Sequence, residues 1–402
     1  MKIAKRIFLI FLAIVVLVQI PFIYRRYQTG KLADKISQLQ QQRTTTPNPY
    51  FNEYKGIIHA HTSLGGHSTG SFEELINAAN ANDLDFVLMT EHWSENFDTS
   101  ALTLNGIYGK TLFIGGNEVD TADSDRFLLI PGSNEAAAFR NIPTNAFLEK
   151  VHAENKLALV TYPEKFKSWE SDFDGIEVFS LHTSAKMVNP LAGLGDLLWS
   201  YPAYPALTLA SYFKRPDANL QKFDEIAVKR KISLLAGTDA HSNIGFHLFG
   251  DDAGNKPINI KIDPYETMFR LIRIHVLIER AKPFTRENLI EAFENGQFFI
   301  GFDVLGDTSG FAFWAETNRE PGFMGHEMSG LGHYLTLFSA SPNPARFVLL
   351  RNGSQLAQSE NTTEFKIKPT EPGTYRVEVY LDHLGPPFDK MPWIISNPIY
   401  VR

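Results

Sequence analysis

From Phe51 to about residue 301 the chain repeats one pattern: a short apolar run, a polar segment with helical spacing, then another apolar run. The runs include Ile57-Ile58, Phe86-Val87-Leu88-Met89, Thr111-Leu112-Phe113-Ile114, Leu157-Ala158-Leu159-Val160, Gly175-Ile176-Glu177-Val178-Phe179, Ile232-Ser233-Leu234-Leu235-Ala236-Gly237 and Phe298-Phe299-Ile300-Gly301. Runs that do not alternate with polar residues suit strands buried on both faces, and the segments between them supply the covering helices. This predicts an α/β domain with a mostly parallel sheet. Helix signals fall between the runs. Ser71-Phe72-Glu73-Glu74 is a capping box opening a helix to about Asn82, and Pro143-Thr144 starts a helix that carries His152. A further helix is predicted near 219–231. Asp263-Pro264 is predicted to open a long helix carrying His275, and Thr285 to Asn295 another, closed by Gly296.

The C-terminal ends of the runs carry chemistry. Ile57-Ile58 delivers His59 and His61, with His67 beyond; later runs end at Glu91-His92, Glu118, Tyr162, His182, and Asp239 with His241. Six ends in order are more than chance, and in an α/β barrel that edge is where an active site sits. His59 and His61 stand at i, i+2, so on a strand both would face one way and form half of a metal site. Alone, such a pair reads equally well as two surface histidines. Cysteine is absent, so any metal must be held by His, Asp and Glu. Nine candidate positions exceed the four or so that one zinc takes, which points to two or three ions bridged by a carboxylate.

At this point the residues resemble the PHP family, the polymerase and histidinol phosphatase-like metallohydrolases. The matching pieces are His59-Ala60-His61-Thr62, His67, Thr90-Glu91-His92, the Glu118 of Gly116-Asn117-Glu118-Val119, His182, and Gly237-Thr238-Asp239-Ala240-His241-Ser242. They span 56–242 in family order. The resemblance implies a distorted (β/α)7 barrel over 51–305 with a di- or trinuclear centre, and hydrolysis of phosphate esters, some members acting on other esters or amides. It implies that His59 and His61 hold one ion with Glu118 and Asp239, and that His67, His92 and His241 gather around a second. Glu118 would bridge to a third, which His182 would help to hold. Catalytic roles fall to Glu118, Asp239, Tyr162 and Glu91. Two positions depart from the family pattern. Tyr162-Pro163 stands where the family has His-Pro, leaving two or three ions open, and Tyr162 could instead hydrogen-bond a substrate oxygen. Glu91 stands where Asp is usual and could orient a ligand rather than bind metal. All-N/O ligands suit Zn, Mn or Fe alike. Phosphoesterase, hydrolase of a carboxylic ester, carbamate or amide, and inert binding module remain open, with a small-molecule or lipid-like ester as the expected substrate.

The flanks differ in texture. Lys2, Lys5 and Arg6 precede an apolar run from Ile7 to Tyr24, broken only by Gln19 and Pro21, with Arg25-Arg26 after it. Eighteen residues is near the minimum that spans a bilayer, and no small-residue cleavage site follows. Residues 1–26 are therefore expected to be an uncleaved signal-anchor, single-pass in a bacterial inner membrane, the remainder extracytoplasmic. Residues 27–50, with Leu32, Ile36 and Leu39 at near-helical spacing before Thr44-Thr45-Thr46-Pro47, predict a helical stalk and linker. From 306 to 402 short alternating strands and an Asn352-Gly353 turn predict a small all-β sandwich. The net charge of −7 and the absence of a basic block argue against nucleic acid. Lys165, Lys167 and Lys186 stand past strand ends and could meet substrate charge. Residues 183–217, rich in Leu and aromatics, could form a lid. His247 could face the site; His152, His275, His326, His333 and His383 are expected to be structural or surface groups.

Overall fold

The strand Phe51–Ala60 lies at the junction of the molecule, because it is paired on both edges. Along Phe51–Gly56 it runs antiparallel to Arg273–Glu279, and along Gly56–Ala60 parallel to Phe86–Met89. The computed structural model describes residues 2–45, 48–181, 189–248, 258–318, 320–328 and 335–402. Over these the chain is mixed α/β, with one long N-terminal apolar helix and a strand-rich C-terminal region. His182, Lys186, His333 and the side chain of His247 lie outside the described residues.

Two sheets carry the strand ends. Phe86–Met89 pairs in parallel with Thr111–Ile114. After a break at Thr90 the same two chain segments pair again, Glu91–His92 with Asn117–Asp120. The second sheet continues antiparallel through Arg126–Ile130 to Leu157–Val160, then parallel through Gly175–Ser180 to Ser233–Gly237. Its last strand meets the first strand again. Ala60 and Ala240 form a parallel bridge, Ala240 N donates to His59 O (3.2 Å), and His61 N donates to Ala240 O (3.0 Å). The antiparallel Arg126–Ile130 strand is an addition to the parallel arrangement expected from the apolar runs.

Local signals read from the sequence operate as capping chemistry predicts. Ser71 Oγ accepts from Glu74 N (3.1 Å) while Ser71 N donates to Glu74 Oε2 (3.0 Å), opening the helix Phe72–Ala81. Asn352 and Gly353 both take positive φ (51° and 80°), the requirement of a tight hairpin between Thr336–Arg351 and Ser354–Ile367. One element is corrected. The long helix expected after Asp263-Pro264 is only Tyr265–Met268, and His275 lies on the strand Arg273–Glu279. The run Ile274-His275-Val276-Leu277-Ile278 is buried throughout and fills the sheet between the strands Phe51–Ala60 and Phe298–Gly301. Its histidine is satisfied there by Glu53 (Nδ1···Oε1 2.7 Å), by Asp303 (3.3 Å) and by the Thr308 hydroxyl (2.9 Å).

Among the described residues the C-terminal strands, expected to be a small sandwich, are continuous with the first sheet. Phe298–Gly301 pairs with Ile394–Ser396, which pairs with Gly373–Tyr380, which pairs with Thr336–Arg351, so one sheet runs from the first half of the chain into the last. A buried ionic network seals the join. Arg376 donates Nε and Nη2 to Asp224 (2.8 and 2.7 Å) and Nη1 to Glu378 (2.5 Å), and Arg215 donates to both Glu378 oxygens (2.9 and 2.6 Å). Burial alone would raise the Glu378 carboxyl, but the two guanidinium groups outweigh it and hold it down to about 2.

The N-terminal helix is continuous from Lys2 to Gln42, passing through the expected anchor and most of the expected stalk. It is long and apolar enough to cross a membrane. Every described residue before Gln19 is exposed, whereas from Gln19 onward partly covered residues recur every three or four positions. Leu32, Ile36 and Leu39 thus pack on the main core.

Two outcomes test these interactions. Arg376→Met leaves Asp224 and Glu378 as buried carboxylates, and is expected to cost about 3–5 kcal/mol in denaturant unfolding of the full chain; a loss within error of zero would remove the network from the stability account. For His275, burial would lower the pKa, but Asp303 and Glu53 lift it to about 9 against an ordinary 6.5. A raised folded-state value means stability fully present below pH 6.5 and lost as pH climbs through 9. His275→Gln should be less stable at pH 6 and should lack that alkaline slope.

Candidate metal centre

The closure between Ile58–His61 and Thr238–Ala240 brings together strand ends far apart in sequence. His59, His61, Glu118 and Asp239 each present one ligand atom within 4.8 Å of the others, all four residues buried. His61, His92 and His241 form a second such group, sharing His61. Glu118 Oε2 lies 3.4 Å from His59 Nε2, 3.3 Å from His61 Nε2 and 3.5 Å from His92 Nδ1. Asp239 Oδ1 lies 3.4 Å from both His59 Nε2 and His61 Nε2, and 3.3 Å from His241 Nδ1. The His61 ring is stacked between those of His92 (centroids 4.5 Å) and His241 (4.3 Å). His67 is exposed at the rim, its ring 4.8 Å from that of His92.

The convergence of His59 and His61 does not come from strand alternation, which was the expected reason. The register shifts at a bulge between Ile58 and Ala60, and His59 takes φ 68°. The strand ends at Ala60, so His61 is already beyond it. Asp239 (φ 46°) and Tyr162 (φ 50°) are left-handed as well. Non-glycine residues in this region cost about 1–3 kcal/mol each when strained, and they concentrate at sites where side-chain aim matters more than backbone comfort. Gly237 serves the same end. A Cβ there would meet Glu177 Oε1 at 1.7 Å and His59 Cβ at 2.9 Å, so only glycine lets this strand pass the site.

Two supporting residues were not singled out from the sequence. Glu177 accepts from His59 Nδ1 (2.8 Å) and from the Thr161 hydroxyl, which turns His59 Nε2 toward Glu118 and Asp239. Arg126 donates to Glu118 Oε1 (3.1 Å) and to Asp120 (2.7 Å). Glu177 sat inside an apolar run, where a lone buried carboxylate opposite a histidine strand end was the available signal. Arg126 opens a strand that was not recognised. Glu91 is committed elsewhere: it accepts from Thr62 N (3.0 Å), Thr62 Oγ1 (2.6 Å) and Thr103 Oγ1 (2.9 Å), fixing the turn after His61. The Tyr162 hydroxyl donates to Asp239 Oδ2 (2.7 Å), and its ring faces the Arg126 and Lys165 cations at 5.4 and 5.8 Å. Lys167 is turned away, its ammonium donating to Asp123 O (3.0 Å).

The electrostatics call for a cation. Burial disfavours charge on His59, but Glu177, Asp239 and Glu118 together push its pKa well above the ordinary value. Burial, aided by neighbouring imidazoles, holds His61 down to about 3, so it is neutral and has lone-pair electrons to offer. Burial would raise Glu118, yet His59, His61 and His92 hold it at about 2. Among the described residues, both His61 ring nitrogens and Asp239 Oδ1 are buried without a hydrogen-bond partner. Leaving such atoms unmet costs about 1–3 kcal/mol each. Imidazole and carboxylate donors at this spacing, with unmet atoms aimed into their midst, fit a divalent ion of the Zn, Mn or Fe kind.

No family model matches the sequence, and no curated protein matches it. Among solved structures, the chain is similar to PsfC from Pseudomonas syringae PB-5123. The identity is 14%, covering 60% of this chain and 88% of that one, with a TM-score of 0.33. It is also similar to a two-domain protein containing a predicted PHP-like metal-dependent phosphoesterase from Bacteroides vulgatus ATCC 8482. There the identity is 12%, covering 88% of this chain and 98% of that one, with a TM-score of 0.38. Likeness of this degree leaves the functional reading to the site's own geometry.

Because His59 is held protonated by its carboxylate neighbours, metal loading must displace that proton. Zinc titration by calorimetry at pH 7, repeated in buffers of different ionisation enthalpy, should show net proton release and an affinity that weakens toward pH 6. Binding without proton exchange would contradict this electrostatic description.

Proposed function

We propose that this chain is a metal-dependent hydrolase of PHP type, with a phosphate monoester or diester as substrate. The strand path closed at Ala60–Ala240 would then be the distorted (β/α)7 barrel. The observation that supports the reading is the buried His59–His61–Glu118–Asp239 group, with unpartnered atoms on His61 and Asp239 and a second group sharing His61. One ion would be held by His59, His61, Glu118 and Asp239, and a second by His92 and His241 with His67 at the rim. Glu118 would bridge to a third, which His182, outside the described residues, would help to hold. Divalent ions supply Lewis acidity, which makes water acidic enough to attack near neutral pH and offsets charge growing on ester oxygens.

The chain's own groups do the rest. Glu177 fixes the His59 tautomer through Nδ1, as partners of metal-bound imidazoles do. Burial and the nearby carboxylates push the Tyr162 phenol far above its usual range, so it stays a donor whose proton is given to Asp239 Oδ2 and orients that carboxylate. Arg126, partly exposed beside the Tyr162 ring, offers a fixed positive charge for a phosphoryl oxygen. The N-terminal helix would anchor the protein in a bacterial inner membrane, with the site on the extracytoplasmic side and a small or lipid-like ester as substrate.

Metal quantification on the purified full chain, coupled to a screen of chromogenic phosphomonoester, phosphodiester and carboxyl ester substrates, tests the proposal. Stoichiometric metal and phosphoester turnover are expected. His59→Ala should lose both, with circular dichroism unchanged. Turnover confined to carboxyl esters or amides would move the reaction to that bond, and bound metal with no turnover would favour a binding module.

A further inference from the structure

The helix Pro190–Trp199 is joined to the N-terminal helix along the very stretch where that helix first meets the folded body. Trp199 Nε1 donates to Gln19 Oε1 (2.8 Å), Arg25 pairs with Asp196 (2.6 Å), and Gly195 lies so close to Phe22 that a Cβ there would stand 2.2 Å from its ring. Asp196 is buried, so its charge is answered by Arg25 and by the Tyr212 hydroxyl. The opposite face is apolar and open. Leu191, Leu194 and Leu198, at i, i+3 and i+7, are 79%, 49% and 65% exposed. No Lys, Arg or Glu occurs on this helix.

Length decides what covers that face. The apolar run Ile7–Tyr24 rises about 27 Å at 1.5 Å per residue, barely the ~30 Å of a hydrocarbon core. Only its part before Gln19 stands clear of the body; from Gln19 onward it is flanked by the Pro190–Trp199 helix. If the run is to span the bilayer, its last six residues, about 9 Å, must be submerged, and whatever is packed against them is submerged too. That depth matches the ~5–10 Å to which interfacial helices sink, with Trp199, bonded to Gln19, at the deep end of the embedded stretch.

We infer that the Pro190–Trp199 helix is a second membrane element, lying beside the anchor in the leaflet that faces the folded body, with Leu191, Leu194 and Leu198 among the acyl chains. The inference rests on the membrane-spanning reading of the N-terminal helix and is independent of the hydrolase reading. It also gives the body a fixed attitude. The turn after the helix carries Tyr201, whose hydroxyl donates to Ile262 O (2.6 Å). Next to it, Asp263 accepts from Asn243 N and Ile244 N (3.1 and 2.8 Å), and Asn243 Nδ2 donates to His67 O (2.8 Å). The bilayer-facing helix is thus connected by hydrogen bonds to the rim of the histidine cluster.

The chain has no cysteine, so single-Cys variants report cleanly. Full-length Leu191→Cys, Leu194→Cys and Leu198→Cys, labelled with an environment-sensitive fluorophore, are reconstituted into phosphatidylcholine–phosphatidylglycerol liposomes with or without doxyl-lipid quencher. Leu12→Cys marks the anchor and Ile107→Cys, 74% exposed, marks a surface on another part of the body. Blue-shifted emission and lipid quenching at 191, 194 and 198, close to that at Leu12 and several-fold above Ile107, are expected. Quenching at Leu12 alone would overturn the inference and leave the anchor intact. Loss of quenching at Leu12 as well would overturn both. Blue-shifted emission without lipid quenching would assign the face to a second copy of the chain and overturn it equally.

Discussion

The site depends on one short backbone contact, the closure of Ile58–His61 on Thr238–Ala240. Thr238 N donates to Ile58 O, Ala240 N to His59 O and His61 N to Ala240 O, at 3.2, 3.2 and 3.0 Å. These bonds put His59 and Asp239, which are 180 positions apart, into the same group of ligand atoms. Each bond nets about 0.5–1.5 kcal/mol, roughly what the left-handed residues His59 and Asp239 are expected to give back. The closure therefore contributes little net stability. What it does is aim side chains, and the buried strands on either side of it supply the stability that makes such aim sustainable.

Much of this was legible in the sequence because of what burial demands. Strands covered on both faces must be apolar throughout, so a polar residue at the end of such a run stands out, and each described end residue but Glu91 proved to lie in or against the cluster. Glu91 is the exception that periodicity could not resolve, since one peptide's difference in direction sends its carboxylate to Thr62 and Thr103 instead. Glu177 and Arg126 were missed for a related reason. A run reads as strand whether or not one of its residues is charged, and only the three-dimensional neighbour, His59 or Glu118, reveals why the charge is there. The Arg273–Glu279 strand fell inside the helix expected after Asp263-Pro264, because that start signal says where a helix opens and not where it stops. Its histidine is a buried structural group paired with Asp303, one of the two roles expected for it.

The C-terminal region illustrates a limit of another kind. Alternating strands with hairpin signals were evident, but alternation reports one buried face and says nothing about which edge a strand joins. Here the edge of Phe298–Gly301 is taken by Ile394–Ser396, so the late strands extend the sheet of the first half. Sequence-distant charges then become interior. Arg376, Asp224 and Glu378 look like ordinary surface residues in a linear reading, yet each is buried and each carboxylate oxygen is matched by a guanidinium N–H. Buried ion pairs of this kind add little net stability against an apolar equivalent, but they penalise misregistered packing heavily, because a displaced partner leaves an isolated charge.

Orientation relative to a membrane follows from the same joining of parts. A single helix leaving a body through a flexible linker imposes no attitude on it. In this chain the helix is held to the body along its second half, by Leu32, Ile36 and Leu39 on the core and by Asn343 Nδ2 donating to Leu39 O (2.9 Å). The attachment continues past Arg43, which donates to Asp307 (3.1 Å). If that helix spans a bilayer, a rigid attachment would transmit its plane to the fold, and the hydrogen bonds from Tyr201 through Ile262 and Asn243 to His67 would carry that plane to the edge of the histidine cluster. A soluble substrate gains nothing from such an arrangement, because it reaches the site from any direction. If the helix spans a bilayer, an ester whose tail stayed in the leaflet would gain from such an arrangement, since confinement near the body replaces translational freedom that would otherwise be lost at binding.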